Sequence, residues 1–349
     1  MTSKNRKQPV TLKDVAEAVG YSVNTVSRAL REKDDISKKT RERIKHTAIE
    51  LGYISNAAAT SLRLGYTSTI AVILGDISNP HFAIIMKEIE DRAGKLGYTS
   101  FLLSTNEDEA QELRAIQSAV NKNVDGIILC PTQKSERNIA YVKATGVPFV
   151  LIGRHFHQIE TDYVVCDDEL GGYQATKFLL ENGHRDILIL TGPSYISSAQ
   201  ERLSGYCKAL NEYGVPVRDN LILETAVTSG SNKNILSKLA QKEVRYSAIF
   251  AFSDLLAWEA WTYLEQLGKR VPEDCSLVGF DYIQSRIPLP FQLSTISSHK
   301  FKMSVAAVDL LIEQITKKDE RNTASSVVIT TELVKGNTVR NIASSKDKQ

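Results

Sequence analysis

Two rhythms of hydrophobic spacing divide this chain. Between residues 11 and 30 the apolar positions recur at helical intervals. Leu12, Val15, Ala16 and Val19 share one face at i, i+3, i+4, i+7 spacing, and beyond Gly20 a second short face holds Val26, Ala29 and Leu30. Thr11 with Asp14 three residues on predicts the first N-cap, Ser22 the second, and Gly20 the stop between them. A third helix is predicted from a Ser37 cap through the stripe Ile44, Ala48 and Leu51 to Gly52. Two short amphipathic helices on a glycine turn, backed by a third, follow the grammar of a helix-turn-helix DNA reader. A plain three-helix bundle with a solvated, charged surface would carry the same pattern.

Beyond the Gly65-Tyr-Thr-Ser link the rhythm changes to short apolar runs alternating with helix-length amphipathic stretches. Strands are predicted at 70–74, 99–103, 126–130, 149–152, 187–191, 248–251 and 276–279. Helices are predicted at 81–95, 109–121, 169–182, 199–213, 231–241 and 255–267. This is the βαβ signature of parallel sheets covered by helices. A last helix near 302–317 and a strand near 326–331 are expected to cross back, so that each of two lobes is discontinuous in sequence. No repeat of solenoid period is present, and the charged tail 344–349 reads as disordered.

With 349 residues, 42% hydrophobic and 24% charged, the chain can hold a small reader and a second domain large enough to divide. No run approaches the roughly 18 apolar residues of a membrane span, and the basic N-terminus lacks the apolar core of a signal peptide, so a cytoplasmic protein is expected. Cys130, Cys166, Cys207 and Cys275 are widely separated and read as small core hydrophobes, not as a zinc or redox motif. The formal charge of +2 is unevenly spread: residues 1–67 carry +6 and the remainder −4. The basic excess therefore sits on the expected DNA reader.

The run Leu51-Gly-Tyr-Ile-Ser-Asn-Ala-Ala-Ala-Thr-Ser-Leu-Arg adds a helix end and an Ala-rich hinge to the reader. Further on stand Asp76-Ile-Ser-Asn-Pro, Asp125-Gly-Ile-Ile, Gly183-His-Arg, Val271-Pro-Glu-Asp, Gly279-Phe-Asp and Glu332-Leu-Val. In this order the motifs make nearly the whole chain resemble the lactose-repressor/galactose-repressor (LacI/GalR) family. The resemblance implies an all-α helix-turn-helix domain (1–55), a hinge helix and linker (56–67), and an α/β two-lobed domain of the type I periplasmic-binding-protein kind (68–343). Its N-lobe would comprise 68–165 with 298–324, and its C-lobe 166–297 with 325–343.

By that resemblance Val23 and Asn24 open the recognition helix, with Arg28 one turn later. Asn suits adenine, Arg suits guanine, and Val offers only an apolar contact. Thr11, Ser22, Thr25 and Ser27 read as phosphate contacts or caps. Residues 56–64 are too few for a stable isolated helix. The resemblance has two such hinge segments fold together on DNA, with Leu62 wedging the minor groove, Ala59 allowing close approach, and Asn56 and Arg63 contacting the groove or phosphates.

A ligand crevice is expected outside the carboxyl ends of the strands, and family position assigns its lining to Asp76, Asn79, Phe82, Arg154, Asp167, Arg202, Ser253, Asp254 and Asp281. Arg202 and Asp281 could grip vicinal hydroxyls, and Phe82 offers a ring face. Asp254 reads equally well as a ligand contact or a helix cap, Asn79 as a turn residue, and Asp167 as a support behind the ligand shell. Ser297-Ser298-His299 replaces a segment in which many relatives have Gln. Trp258 and Trp261 read as core packing before sugar stacking. Pro290-Phe291 stands where relatives that bind a phosphocarrier protein carry Arg-Pro, which disfavours that partner.

The expectation is a homodimeric transcription repressor that binds a palindromic operator in double-stranded DNA and answers to a small effector, a carbohydrate or sugar phosphate. No cofactor, metal site, catalytic residue or membrane association is expected. A sugar-binding transport protein is the alternative. It would need a signal peptide and would have no use for residues 11–64. A Rossmann-type enzyme lacks its G-x-G-x-x-G, and the six histidines show no metal-ligand spacing in sequence.

Overall fold

The computed structural model describes residues 10–54, 65–228, 230, 244–287, 291–317 and 323–343. The expected hinge contacts Asn56, Ala59, Leu62 and Arg63, the expected helix at 231–241, Pro290 and the tail 344–349 lie outside the described residues. The chain divides into two units, Met1–Thr67 and Ser68–Gln349.

The first unit holds α1 (Leu12–Val19), α2 (Val23–Leu30) and α3 (Lys38–Leu51). Each begins at its predicted cap. Thr11 and Asp14 form a reciprocal capping box, and the backbone N–H groups of Thr25 and Thr40 donate to Ser22 and Ser37. Val15, Ala16, Val19, Val26, Ala29, Ile44 and Ala48 make one small core. Leu51 departs from expectation, being 40% exposed. Gly52 turns left-handed at φ 71°, and the Tyr53 N–H donates back to the Ala48 carbonyl at 2.8 Å, which folds Tyr53 onto the core in place of Leu51.

The second unit is built on two six-stranded sheets. The first sheet uses β1 (Thr69–Leu74), β2 (Thr99–Ser104), β3 (Gly126–Leu129), β4 (Phe149–Ile152), β5 (Tyr163–Cys166) and β11 (Ser326–Ile329), in the order 11-5-4-3-1-2 and all parallel. The second uses β6 (Ile187–Thr191), β7 (Ile222–Glu224), β8 (Ala248–Ala251), β9 (Ser276–Asp281), β10 (Ser294–Ser297) and β12 (Glu332–Val334), in the order 12-10-9-8-6-7, with only β12 antiparallel. Strands such as β1, β3, β6 and β8 are buried through nearly their whole length, as continuous apolar runs in a sheet covered on both faces require.

Helices α4 (Pro80–Lys95), α5 (Glu109–Asn121), α6 (Arg137–Thr145) and α10 (Lys300–Thr316) flank the first sheet, and α7 (Asp168–Glu181), α8 (Ser197–Glu212) and α9 (Asp254–Gln266) the second. The chain crosses between lobes after β5, after β10 and after β11. The last crossing corrects the expected boundary: residues 326–329 belong to the N-lobe, because β11 pairs in parallel with β5, register Val327 to Val164. Only β12 returns to the C-lobe.

Helices α7 and α8 pack closely through two glycines. A Cβ on Gly172 would collide with the Arg202 carbonyl, and one on Gly205 with the Glu169 carbonyl and the Tyr173 N–H. Both obstacles are backbone, so neither can rotate away. Gly205→Ala is therefore expected to destabilise the two-lobed unit by about 1–3 kcal/mol, read as a lower urea midpoint. An unchanged midpoint would show that the helices have room to part.

Candidate functional site

The carboxyl ends of both sheets converge on one cavity of about 60 Å³. From the N-lobe come Asn79, His81, Phe82 and Ile85 at the start of α4, Glu107 before α5, Cys130 after β3, and Arg154 after β4. From the C-lobe come Ser198 and Arg202 of α8, Phe252 and Ser253 after β8, and Asp281 at the end of β9. A larger open groove of about 430 Å³ lies at the other end of β4 and β5, lined by Lys143, Pro148, Asp162 and Gln314. Ligands of parallel α/β sheets bind outside the carboxyl ends, which favours the small interlobe cavity.

The charges in this cavity are buried and paired. Arg154 is 6% exposed and makes a two-pronged ion pair with Glu107, at 2.8 and 3.0 Å, while a further N–H donates to the Pro131 carbonyl at 2.9 Å. Burial works against the Arg154 charge, but Glu107, with Cys130 and Glu112, offsets it and leaves the pKa raised. Arg202 lies 3.5 Å from the Phe280 ring centre and 4.4 Å from that of Phe252, donates from Nε to Asp168 at 2.7 Å, and also donates to the Phe252 carbonyl. Across the cavity His81 Nδ1 sits 3.2 Å from Asp281 Oδ1. Lys300 Nζ donates to the Asp281 carbonyl. Burial alone would raise the Asp281 carboxyl, yet His81, Arg202 and Lys300 hold it below the usual carboxylate range.

Contacts between lobes continue along the seam. The Ser197 N–H donates to Gln133 Oε1 at 3.0 Å, and the His155 N–H donates to Ser197 Oγ at 3.2 Å. Arg286 of the C-lobe pairs with Glu88 of α4.

Of the expected lining residues, Asn79, Phe82, Arg154, Arg202, Ser253 and Asp281 meet in this cavity. Three do not line it. Asp76 accepts from the Ser78 N–H and hydroxyl at 2.9 and 2.6 Å, Asp167 caps α7 by accepting from Leu170 N–H at 2.9 Å, and Asp254 is fully buried. Asp254 accepts from Thr295 Oγ1 at 2.5 Å and from the Ile283 N–H at 2.7 Å, which fixes the β9–β10 connection; Ser253 is the cap of α9. His81, Glu107, Asp168, Phe252 and Lys300 were missed, because their roles arise from pairing across long sequence separations. Trp258 and Trp261 pack against the C-lobe core, Trp261 against Phe291 at 4.3 Å between ring centres.

Burial and the neighbouring Asp281 push Asp254 up to about 7. A carboxyl whose folded pKa lies above its unfolded value of about 3.9 binds a proton only in the folded state between those values, so its contribution falls as pH rises through that window. Asp254→Asn should therefore gain stability relative to the parent between about pH 4 and pH 7 and track it above. Urea unfolding across this range tests the sign; parallel curves would place the Asp254 pKa near its unfolded value.

In the N-terminal unit Val23 and Asn24 are exposed at the start of α2, while Thr25 and Ser27 are half-buried. Thr11 and Ser22 act as caps. Arg28 lies 2.6 Å from Asp35, and Arg31 donates to Ser27 at 2.6 Å. Asn24 thus stands open, whereas Arg28 must exchange a surface ion pair, worth about 0–1 kcal/mol, for another contact.

A helix-turn-helix reader linked to a two-lobed domain with a polar cleft at its strand ends defines a ligand-responsive DNA-binding transcription regulator. Residues 11–56 match the bacterial regulatory proteins of the lacI family, and residues 67–337 match the periplasmic binding proteins and sugar-binding domain of that family. The chain belongs to the LacI family. The HTH-type transcriptional repressor PurR of Aliivibrio salmonicida is 32% identical over 88% of this chain and 93% of its own length. Among solved structures, the lac repressor dimer bound to operator and the anti-inducer ONPF has a TM-score of 0.80 at 25% identity, covering 95% of this chain and 100% of that one. The transcriptional regulator CelR in complex with cellobiose has a TM-score of 0.71 at 28% identity, covering 94% of this chain and 99% of that one. A reader domain has no place in a transport protein, so that alternative falls.

Proposed function

We propose that this regulator acts in the cytoplasm, without enzymatic activity, as a homodimeric repressor on a palindromic operator, released or recruited by a carbohydrate or sugar phosphate held between its lobes. The observation that carries the effector reading is the interlobe cavity itself, where ring faces of Phe82 and Phe252 stand beside fixed charges from both lobes. Flat apolar faces bordered by bidentate hydrogen-bonding groups suit a sugar, whose ring has apolar faces and a rim of hydroxyls. The lac repressor and CelR comparisons support the dimer, the operator and the sugar class in turn. A cavity of about 60 Å³ is well below the ~300 Å³ or more of typical ligand pockets, so the lobes must part to admit an effector.

Opening breaks the contacts of His81 with Asp281, of Gln133 with Ser197 and of Arg286 with Glu88. A ligand that binds one lobe arrangement better than the other shifts their populations, and in a dimer this alters the fit of the two readers to their half-sites. The roles of Asn56, Ala59, Leu62 and Arg63 at the minor groove rest on the family resemblance.

For the reader, Asn24→Ala and Arg28→Ala should each weaken specific operator binding by about 1–3 kcal/mol and leave weak, salt-sensitive binding to random DNA largely intact. Titrations on both DNAs test this; equal losses on the two would mean that these side chains touch only the backbone.

For the cleft, Asp281→Asn is the informative change, because removing Arg202 would strand the buried Asp168 carboxylate. Once a thermal-shift screen of sugars and sugar phosphates has supplied an effector, Asp281→Asn should bind operator normally when effector-free and lose the effector response. A normal response would move the effector site away from Asp281.

A further inference from the structure

One side-chain cluster on the seam between the lobes takes no part in the cleft. His155 and His157 stand two residues apart in the loop after β4 of the N-lobe, and Glu201 belongs to α8 of the C-lobe. None of the three lines the interlobe cavity. One carboxylate oxygen, Glu201 Oε1, lies 3.6 Å from His155 Nε2 and 3.9 Å from His157 Nε2. The three ligand-capable atoms lie within 4.8 Å of one another.

These separations are too long for hydrogen bonds and close to those a shared cation requires. With metal–nitrogen and metal–oxygen bonds of about 2.0–2.2 Å, neighbouring ligand atoms of a tetrahedral Zn²⁺ stand about 3.4 Å apart. The two Glu201–histidine separations exceed this by a few tenths of an ångström and all three atoms lie within 4.8 Å of one another, so side-chain adjustments on the order of an ångström bring them onto one ion. The cluster is also held in place. The His155 ring stacks on Tyr163 with centres 4.6 Å apart, the His155 backbone N–H donates to Ser197 Oγ at 3.2 Å, and the His155 backbone carbonyl accepts from Gln133 Nε2 at 2.7 Å. Among the described residues, Glu201 has no ion-pair partner other than the two histidines, and its carboxylate accepts no hydrogen bond. Burial, with Asp168, Asp167 and Glu169, raises the Glu201 pKa, and Arg202 opposes them.

We propose that His155, His157 and Glu201 form a binding site for a divalent transition-metal ion, with Zn²⁺ the best fit, which bridges the two lobes and leaves a coordination position for water. Two imidazoles and a carboxylate are a borderline donor set that suits zinc and its neighbours over calcium or magnesium. Because the ligands come from opposite lobes, the complete site exists only when the lobes are closed, and the ion stabilises that state by mass action. This proposal is independent of the nature of the effector.

The test is a titration of the metal-stripped full-length protein with Zn²⁺ alone, in competition with a chromophoric chelator, alongside thermal unfolding. One equivalent per chain should bind tightly and raise the melting temperature. His157→Ala, at a side chain 59% exposed and so tolerant of change, and Glu201→Gln should each weaken binding at least about tenfold and abolish the thermal shift. The absence of a saturable site would overturn the proposal, as would binding that survives either variant. A site lost only on His46→Ala would be the exposed His46–Glu50 pair of the N-terminal unit, and would count against it equally.

Discussion

The two-lobed domain depends on keeping charges buried at the carboxyl ends of its strands. An ion removed from water costs several kcal/mol unless another charge and directed hydrogen bonds replace its solvent, and breaking one buried pair costs about 3–5 kcal/mol. Glu107 does this for Arg154 within the N-lobe, and Asp168, with the faces of Phe252 and Phe280, does it for Arg202 within the C-lobe. Each lobe thus carries its own neutralised cation to the cleft. Asp281 is different, because besides Arg202 of its own lobe it meets His81 and Lys300, which stand on helices of the other lobe. Part of its pairing is therefore sensitive to lobe separation.

The parts of this arrangement that were legible in the sequence are those set by local chemistry. Thr11, Ser22 and Ser37 were readable as caps because a hydroxyl before an amphipathic run can satisfy free helix N–H groups, and Gly20 and Gly52 as stops because the chain must turn left-handed there. The apolar runs of β1, β4, β6 and β8 stood out since strands buried on both faces have no polar alternation to blur them. Strands β7 and β12, of three residues, are too short to show a period, β10 is the largely polar run Ser-Thr-Ile-Ser, and Glu136 at the N-cap of α6 makes no side-chain capping bond. The assignment of β11 to the wrong lobe had the same origin: only its pairing with β5 decides the matter.

The cleft was half legible for a related reason. Asp281 ends β9, Ser253 lies just after β8, and Asn79 and Phe82 open the helix that follows β1, so their place near a strand end is fixed by position along the chain. Which acid meets which base is a tertiary fact. Arg202 pairs with Asp168, 34 residues away, and Arg154 with Glu107, 47 away. Asp254, equally well placed in sequence, turns inward to hold Thr295 and Ile283. The His155–His157–Glu201 cluster was invisible because its third member comes from the opposite lobe.

If the lobes and the reader form one thermodynamic machine, ligand and operator must influence each other by equal factors, typically within 1–3 kcal/mol of coupling. The direct measurement is a complete linkage cycle on the full-length protein with an effector sugar or sugar phosphate: operator affinity with and without saturating effector, and effector affinity with and without saturating operator. The account predicts two changes of the same factor, in the same direction. An effector that binds the cleft with one affinity whether or not the operator is bound would contradict it.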